Sequence, residues 1–124
     1  MNQKYYKCNH CGQIITKIKD TSVPVICCGS PMTEIEAGTV EASVEKHIPV
    51  YETNGNKVIV KVGSVTHPMT PEHYIEWVSL ETNKGVKLHK LTPNTNPETQ
   101  FMLDENEEVI SILAYCNLHG LWKA

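Results

Sequence analysis

Apolar and polar residues alternate with a period of two along much of the chain, which is the pattern of strands buried on one face. Segments 57–62 (KVIVKV), 74–80 (YIEWVSL), 86–91, 99–103 and 109–115 carry it over useful lengths, and 14–18 and 23–26 carry shorter versions. A further strand is expected to begin at Pro49. Between these runs lie Asn54-Gly55-Asn56, Asn83-Lys84-Gly85 and Pro93-Asn94-Thr95-Asn96-Pro97. Such residues tolerate positive φ or fix a bend, so they read as turns. Short strands punctuated in this way predict a mainly β chain whose larger part is an antiparallel sandwich. No convincing amphipathic helix is predicted, although Pro71-Glu72-His73 can open one short helical turn. There is no internal repeat and no low-complexity tract.

The chain divides around residue 37, with Glu36-Ala37-Gly38-Thr39 as the joint. The first piece, 1–37, is shorter than the roughly 40 residues below which a domain usually needs a covalent or metal staple. It also holds four of the five cysteines, Cys8, Cys11, Cys27 and Cys28. The second piece, 38–124, is long enough for its own core.

Composition narrows the chemistry. The 124 residues are 40% apolar, with a net charge of −3, and all eleven cationic side chains are Lys. Without Arg there is no bidentate clamp for phosphate or guanine, which disfavours a nucleic-acid partner. The N-terminal MNQKYYKCNH has no apolar leader core, and no stretch approaches the roughly 18 apolar residues of a membrane span. The expectation is a soluble cytoplasmic chain with no membrane association. In a reducing compartment an odd count of five cysteines speaks against a closed disulfide framework and for thiolate chemistry.

Cys8-x2-Cys11 lets the chain curl back so that two sulfurs converge, with Gly12 suited to the turn. Cys27 and Cys28 are adjacent, and neighbouring side chains normally diverge, so a site using both departs from regular tetrahedral geometry. A four-thiolate metal site is nonetheless the better reading than a buried or disulfide-paired set. Softness restricts the ion to zinc or iron without choosing between them. His10, inside the first knuckle, is expected to be exposed.

In the larger piece, Cys116-x2-His119 is a ligand-spaced pair directly after a predicted strand. His67, His73 and His47 sit on predicted loops at strand ends, whereas His89 falls within a strand and is read as structural or exposed. Four imidazoles and one thiol on such loops can converge at one edge of a sandwich. If all five bind one ion they are too many for a closed structural zinc site. Nitrogens in a plane with an axial thiolate suit iron and leave a position open opposite the sulfur. With neutral imidazoles such a centre is net positive and attracts a small anion. Glu45 and Lys46 precede His47. Lys46 can raise local anion concentration and organise a proton-donating water, and Glu45 can swing onto the open position once the metal is oxidised.

These motifs, taken in order, resemble those of desulfoferrodoxin, the two-iron form of superoxide reductase. The Cys8-x2-Cys11-x15-Cys27-Cys28 run is similar to the desulforedoxin module. Glu45-Lys46-His47, His67-Pro68-Met69, His73-Tyr74-Ile75-Glu76-Trp77 and Cys116-Asn117-Leu118-His119-Gly120 resemble the family's catalytic iron motifs. The resemblance implies a rubredoxin-like Fe(Cys)4 centre in residues 1–37. It further implies an immunoglobulin-like sandwich over 38–124 with iron on His47, His67, His73 and His119 and with Cys116 axial. The reaction implied is one-electron reduction of superoxide to hydrogen peroxide without release of oxygen. A rubredoxin-like protein is the implied electron donor, and a cytoplasmic homodimer the implied assembly. The residues alone also leave open an iron-binding electron carrier with a closed site, a zinc-ribbon adaptor, and superoxide dismutation.

Overall fold

A computed structural model describes residues 3–38 and 42–124, so Thr39, the last residue of the expected joint, lies outside the described residues. The chain separates into two compact units, Met1–Glu36 and Ala37–Ala124.

In the first unit β1 (Tyr5–Lys7) is the middle strand of a small antiparallel sheet, flanked by β2 (Ile14–Thr16) and β5 (Thr33–Ile35). β3 (Ile26–Cys27) and β4 (Ser30–Pro31) form a minimal hairpin. The expected strand at 14–18 stops at Thr16, and the one at 23–26 shrinks to Ile26–Cys27. Among the described residues, the buried apolar side chains of this unit are Tyr5, Cys8 and Met32. That is a very small core for a chain of this length.

The second unit opens with a single helical turn, α1 (Val44–His47). β6 (Pro49–Asn54), β7 (Lys57–Val62) and β10 (Glu98–Met102) form one antiparallel sheet in the order β10-β7-β6. β8 (Ile75–Thr82), β9 (Gly85–Lys90), β11 (Val109–Cys116) and β12 (Gly120–Lys123) form the other, ordered β12-β11-β8-β9. The two apolar faces meet in one cluster of Val58, Val60 and Val62 from β7, Phe101 from β10, Ile75, Val78 and Leu80 from β8, and Ile112, Ala114 and Cys116 from β11. Each fully buried aliphatic or aromatic side chain contributes about 1.5–3 kcal/mol relative to exposure. The chain is therefore mainly β, with a sandwich as its larger part.

β8 departs from strict alternation. Tyr115 pairs with Trp77 but Cys116 pairs with Ile75, so Glu76 is an extra residue opposite the end of β11. This bulge is why Ile75 and Val78, three residues apart, both face the core. The Glu76 carbonyl accepts the Leu91 N–H at 2.9 Å. His89 stacks on Phe101 with centroids 4.1 Å apart, and its Nδ1 lies 2.7 Å from Thr99 Oγ1, which gives it a structural place.

The registers put the loops of 55–56, 83–84 and 103–108 at one end of the sandwich. Those of 63–74, 91–97 and 117–119, together with α1, are at the other. The helical turn expected at Pro71-Glu72-His73 is not one. Thr70 and His73 form an isolated antiparallel bridge around a two-residue turn, with Thr70 N–H to His73 O at 3.0 Å and His73 N–H to Thr70 O at 3.1 Å. The helical turn lies instead at Val44–His47.

Candidate metal centres

In the first unit the Sγ atoms of Cys8, Cys11, Cys27 and Cys28 all lie within 4.8 Å of one another, and none is disulfide-bonded. The knuckle is built by the chain curling back, Gly12 N–H to Cys8 O at 2.9 Å and Cys8 N–H to Gln13 O at 2.9 Å, with Gly12 at φ +84°. The vicinal pair converges because Cys28 adopts φ +52° and Gly29 φ +77°. A left-handed residue redirects its side chain toward that of its neighbour, and Gly29 accommodates the second turn at little cost.

Cys11 and Cys27 sulfurs are 3.6 Å apart. This is near the ~3.8 Å edge of a tetrahedron with metal–sulfur bonds of about 2.3 Å. The backbone N–H groups of Cys11 and His10 hold the Cys8 thiol down to about 6, while hydrogen bonds among the thiols push Cys27 up to about 12. Four such groups cannot all ionise without a cation between them, and a soft ion that draws off the protons fits the set. His10 is exposed and stands outside this group.

At the loop-rich end of the sandwich the donor atoms of His47, His67, His73 and Cys116 also lie within 4.8 Å of one another. His119 Nδ1 joins them, 3.1 Å from His47 Nε2 and 3.9 Å from Cys116 Sγ. The four rings form a circuit. Their centroids are 4.6 Å apart for His47–His67, 4.7 Å for His67–His73, 5.0 Å for His73–His119 and 4.9 Å for His119–His47, with a 6.4 Å diagonal between His47 and His73. Each ring stands edge-on to its neighbours, at interplanar angles of 77° to 86°.

Backbone carbonyls orient two of the rings. His47 Nδ1 donates to Ser43 O and His67 Nδ1 to Pro68 O, each at 2.6 Å. A carbonyl only accepts, so each Nδ1 carries the proton and each neutral ring turns an Nε2 lone pair inward. Those two Nε2 atoms are 3.1 Å apart. Nitrogens at that spacing around a square surround a centre about 2.2 Å away, close to a metal–imidazole bond of about 2.0–2.1 Å. His73 Nε2 is buried without a hydrogen-bond partner among the described residues. Burial lowers His67 to about 4 and also lowers His47 and His73, so these imidazoles are neutral near pH 7. Converging buried lone pairs fit a cation.

Cys116 is fully buried, and burial raises its thiol while the Leu118 and His119 N–H groups pull it back down. A positive ion is needed to ionise it, and those two N–H groups then stabilise the thiolate. Trp122 backs the ring circuit, its indole 4.9 Å from the His47 ring and its Nε1–H donating to His119 O at 3.0 Å. Glu45 and Lys46 are exposed on α1 beside buried His47. The Lys46 charge acts on both His47 and His73. The carboxyl of Glu45 is held below its ordinary value by its own backbone N–H, the Ser43 hydroxyl and Lys46.

Three supporting residues have no role that spacing reveals. Gly63 sits at φ +86°, in a turn whose Gly63 and Val65 N–H groups bond Ile48 O at 3.2 Å and Glu45 O at 2.9 Å. Trp122 lies beyond the last strand expected from the sequence, and Asn117 is named there only as part of the Cys116–Gly120 motif. Their roles depend on pairings made far apart in the chain.

The family model for desulfoferrodoxin matches residues 39–124, and that for the desulfoferrodoxin N-terminal domain matches residues 1–35. A desulfoferrodoxin homolog of Archaeoglobus fulgidus is 43% identical over 119 residues, covering 96% of this chain and 94% of that protein. A desulfoferrodoxin of Nitratidesulfovibrio vulgaris is 43% identical over 120 residues, covering 96% and 93%. Among solved structures, the superoxide reductase of Treponema pallidum superposes with a TM-score of 0.85 at 40% identity, over 100% of this chain and 99% of that one. The one-iron superoxide reductase of Giardia intestinalis superposes with a TM-score of 0.55 at 33% identity, over 64% of this chain and 95% of that one. With both units matched and both donor clusters in place, the chain belongs to the desulfoferrodoxin family.

Proposed function

We propose that this chain is a superoxide reductase: superoxide takes up one electron and two protons to give hydrogen peroxide, with no oxygen released. The observation that carries this reading is the circuit of four edge-on imidazoles beside a buried thiol. The names of the relatives and of the structural neighbours support it.

The cofactors are two iron ions per chain. In this reading residues 1–37 hold one on Cys8, Cys11, Cys27 and Cys28. Residues 38–124 form the catalytic domain and hold the other on His47, His67, His73, His119 and Cys116. When bound there, iron supplies the electron to superoxide and regains it from an external donor.

The protein's own groups set the conditions for that exchange. Neutral imidazoles leave the centre net positive, which favours an anionic substrate. Ionised Cys116 donates electron density from the buried side, and the Leu118 and His119 N–H groups temper that donation. Lys46 adds positive charge on the exposed side, draws superoxide in, and orders the water that delivers protons. Glu45, exposed on the same helical turn, is the carboxylate that would cap the site when the iron it holds is oxidised. A rubredoxin-like donor, a homodimer and a cytoplasmic location complete the proposal. No helix among the described residues is long and apolar enough to cross a membrane.

The test is stoichiometry. One peroxide per superoxide in the presence of a reductant, with no oxygen evolved, is expected; oxygen evolution at half that yield would mean dismutation. Azide or cyanide should perturb the ferric spectrum, and an inert spectrum would mean a closed electron carrier.

A further inference from the structure

Asn117 stands between two donors of the histidine site, Cys116 and His119, yet its side chain is bonded to the segment carrying a third. Its Oδ1 accepts the Tyr74 N–H at 3.0 Å, and its Nδ2 donates to Glu72 O at 2.9 Å. Its own backbone N–H donates to Tyr74 O at 3.2 Å. These three bonds fall on the residues either side of His73. The backbone of His73 itself is engaged by Thr70, both through the bridge and through Thr70 Oγ1, which accepts the His73 N–H at 3.1 Å. The His73 peptide is thus held by Thr70 while its two neighbours are held by Asn117.

A carboxamide is suited to this place because it presents an acceptor and a donor at fixed spacing on a short stem, as a peptide group does. It continues the pairing of β11 with β8 past the Glu76 bulge, where the regular ladder ends. His47 and His67 are oriented through Nδ1 by carbonyls, whereas the bonds that place His73, whose buried Nε2 is left for an ion, run through its own backbone and that of its two neighbours.

We propose that Asn117 is a positioning residue that fixes His73 relative to Cys116 and His119 and so sets the size of the donor circuit. The proposal rests on reading that circuit as an iron site. Two of the three bonds run through the Asn117 side chain and join donors from two separate segments, so their loss loosens His73 while the backbone bond to Tyr74 O and both sheets stay intact. Groups that orient metal ligands in this manner typically change metal affinity about 10–100-fold when removed.

The test uses the full chain, Asn117→Ala and Asn117→Asp, each loaded with iron and titrated with a chelator. Melting is measured with and without iron. The thiolate-site iron serves as an internal reference. For Asn117→Ala, the chelator concentration that removes half of the histidine-site iron is expected to fall about 10–100-fold while the thiolate site is unchanged. The melting increment conferred by iron should shrink. Asn117→Asp keeps the acceptor for Tyr74 N–H but sets an oxygen against Glu72 O, and should fall between. Equal chelator curves for wild type and Asn117→Ala overturn the proposal. So does an equal drop in melting with and without iron, which marks general destabilisation. A wild-type chain that retains only the thiolate-site iron overturns the reading of the circuit and this inference with it.

Discussion

The carbonyl oxygen of Lys46 lies 2.6 Å from the point where Gly63 would carry a Cβ, and the Val65 carbonyl oxygen lies 2.3 Å from the same point. Both are backbone atoms, so neither can swing aside. The turn of 63–65 and the helical turn of 44–47 are in contact at a distance that only glycine permits, at a positive φ that also favours it.

Gly63→Ala is therefore expected to push α1 away from the histidine circuit. Left-handed strain alone costs about 1–2 kcal/mol, and the clash adds to it. A melting temperature lower by at least several degrees is expected, together with a slower reaction with superoxide, measured by calorimetry and pulse radiolysis. A variant with wild-type melting and rate would show that the contact relaxes freely.

Lys46→Ala should leave iron content and fold intact, because the side chain is exposed and outside the core. Its loss removes a steering charge, so the rate with superoxide should fall about tenfold or more at low salt, and its ionic-strength dependence should flatten. Rates across a salt series check this, and an unchanged slope would remove Lys46 from anion capture. Glu45→Ala is expected to alter the ferric absorption band.

Stripping the metal should act unequally on the two units. The first has few buried apolar side chains and relies on four converging sulfurs, so chelation is expected to abolish amide-exchange protection in β1, β2 and β5. The sandwich has its own apolar cluster and should retain protection in β8 and β11. Hydrogen exchange with and without a chelator distinguishes the two. Protection that survived in β1 would show that the small unit folds on its own.

At the end of the sandwich opposite the histidine circuit, Glu107 buries its carboxylate with a side-chain exposure of 2%. It accepts from the Thr82 hydroxyl, from Asp104 N–H at 2.8 Å and from Lys87 Nζ at 3.2 Å. The Thr82 bond leads in holding it down to about 2. A carboxyl depressed on folding stabilises the protein above its unfolded value of about 4.5 and loses that contribution as pH falls toward 2. Glu107→Gln should be less stable near neutral pH and lose less between pH 4.5 and 2. Urea midpoints across that range decide it, and parallel curves for both proteins would rule the carboxylate out.

Much of this was legible from spacing. The strand at 57–62 forms at Lys57–Val62, because alternation and flanking turns agree there. The nine proposed metal donors were visible as residue types, although Cys27 falls in β3, His47 in α1 and Cys116 at the end of β11 rather than in loops. Other features were hidden for physical reasons. β1 and β5 are three residues long, too short to show a period. The Glu76 bulge appears in sequence as ordinary alternation, since only the register against β11 exposes the extra residue. Pro71 and Glu72 are residues that can open a helical turn, but hydrogen bonds between Thr70 and His73 close that segment as a bridge. Gly63 and Asn117 matter through neighbours distant in sequence.

The bulge at Glu76 reaches beyond its own position. By adding one residue at the boundary, it lets a single strand present Ile75 to the hydrocarbon interior while leaving the preceding residues free to follow the spacing set by an ion. Deleting that residue would reverse the inward and outward faces of one part of β8 relative to the other. Evolutionary length changes should therefore collect at the opposite end, around 55–56 and 83–84, where hairpins can lengthen without disturbing this junction.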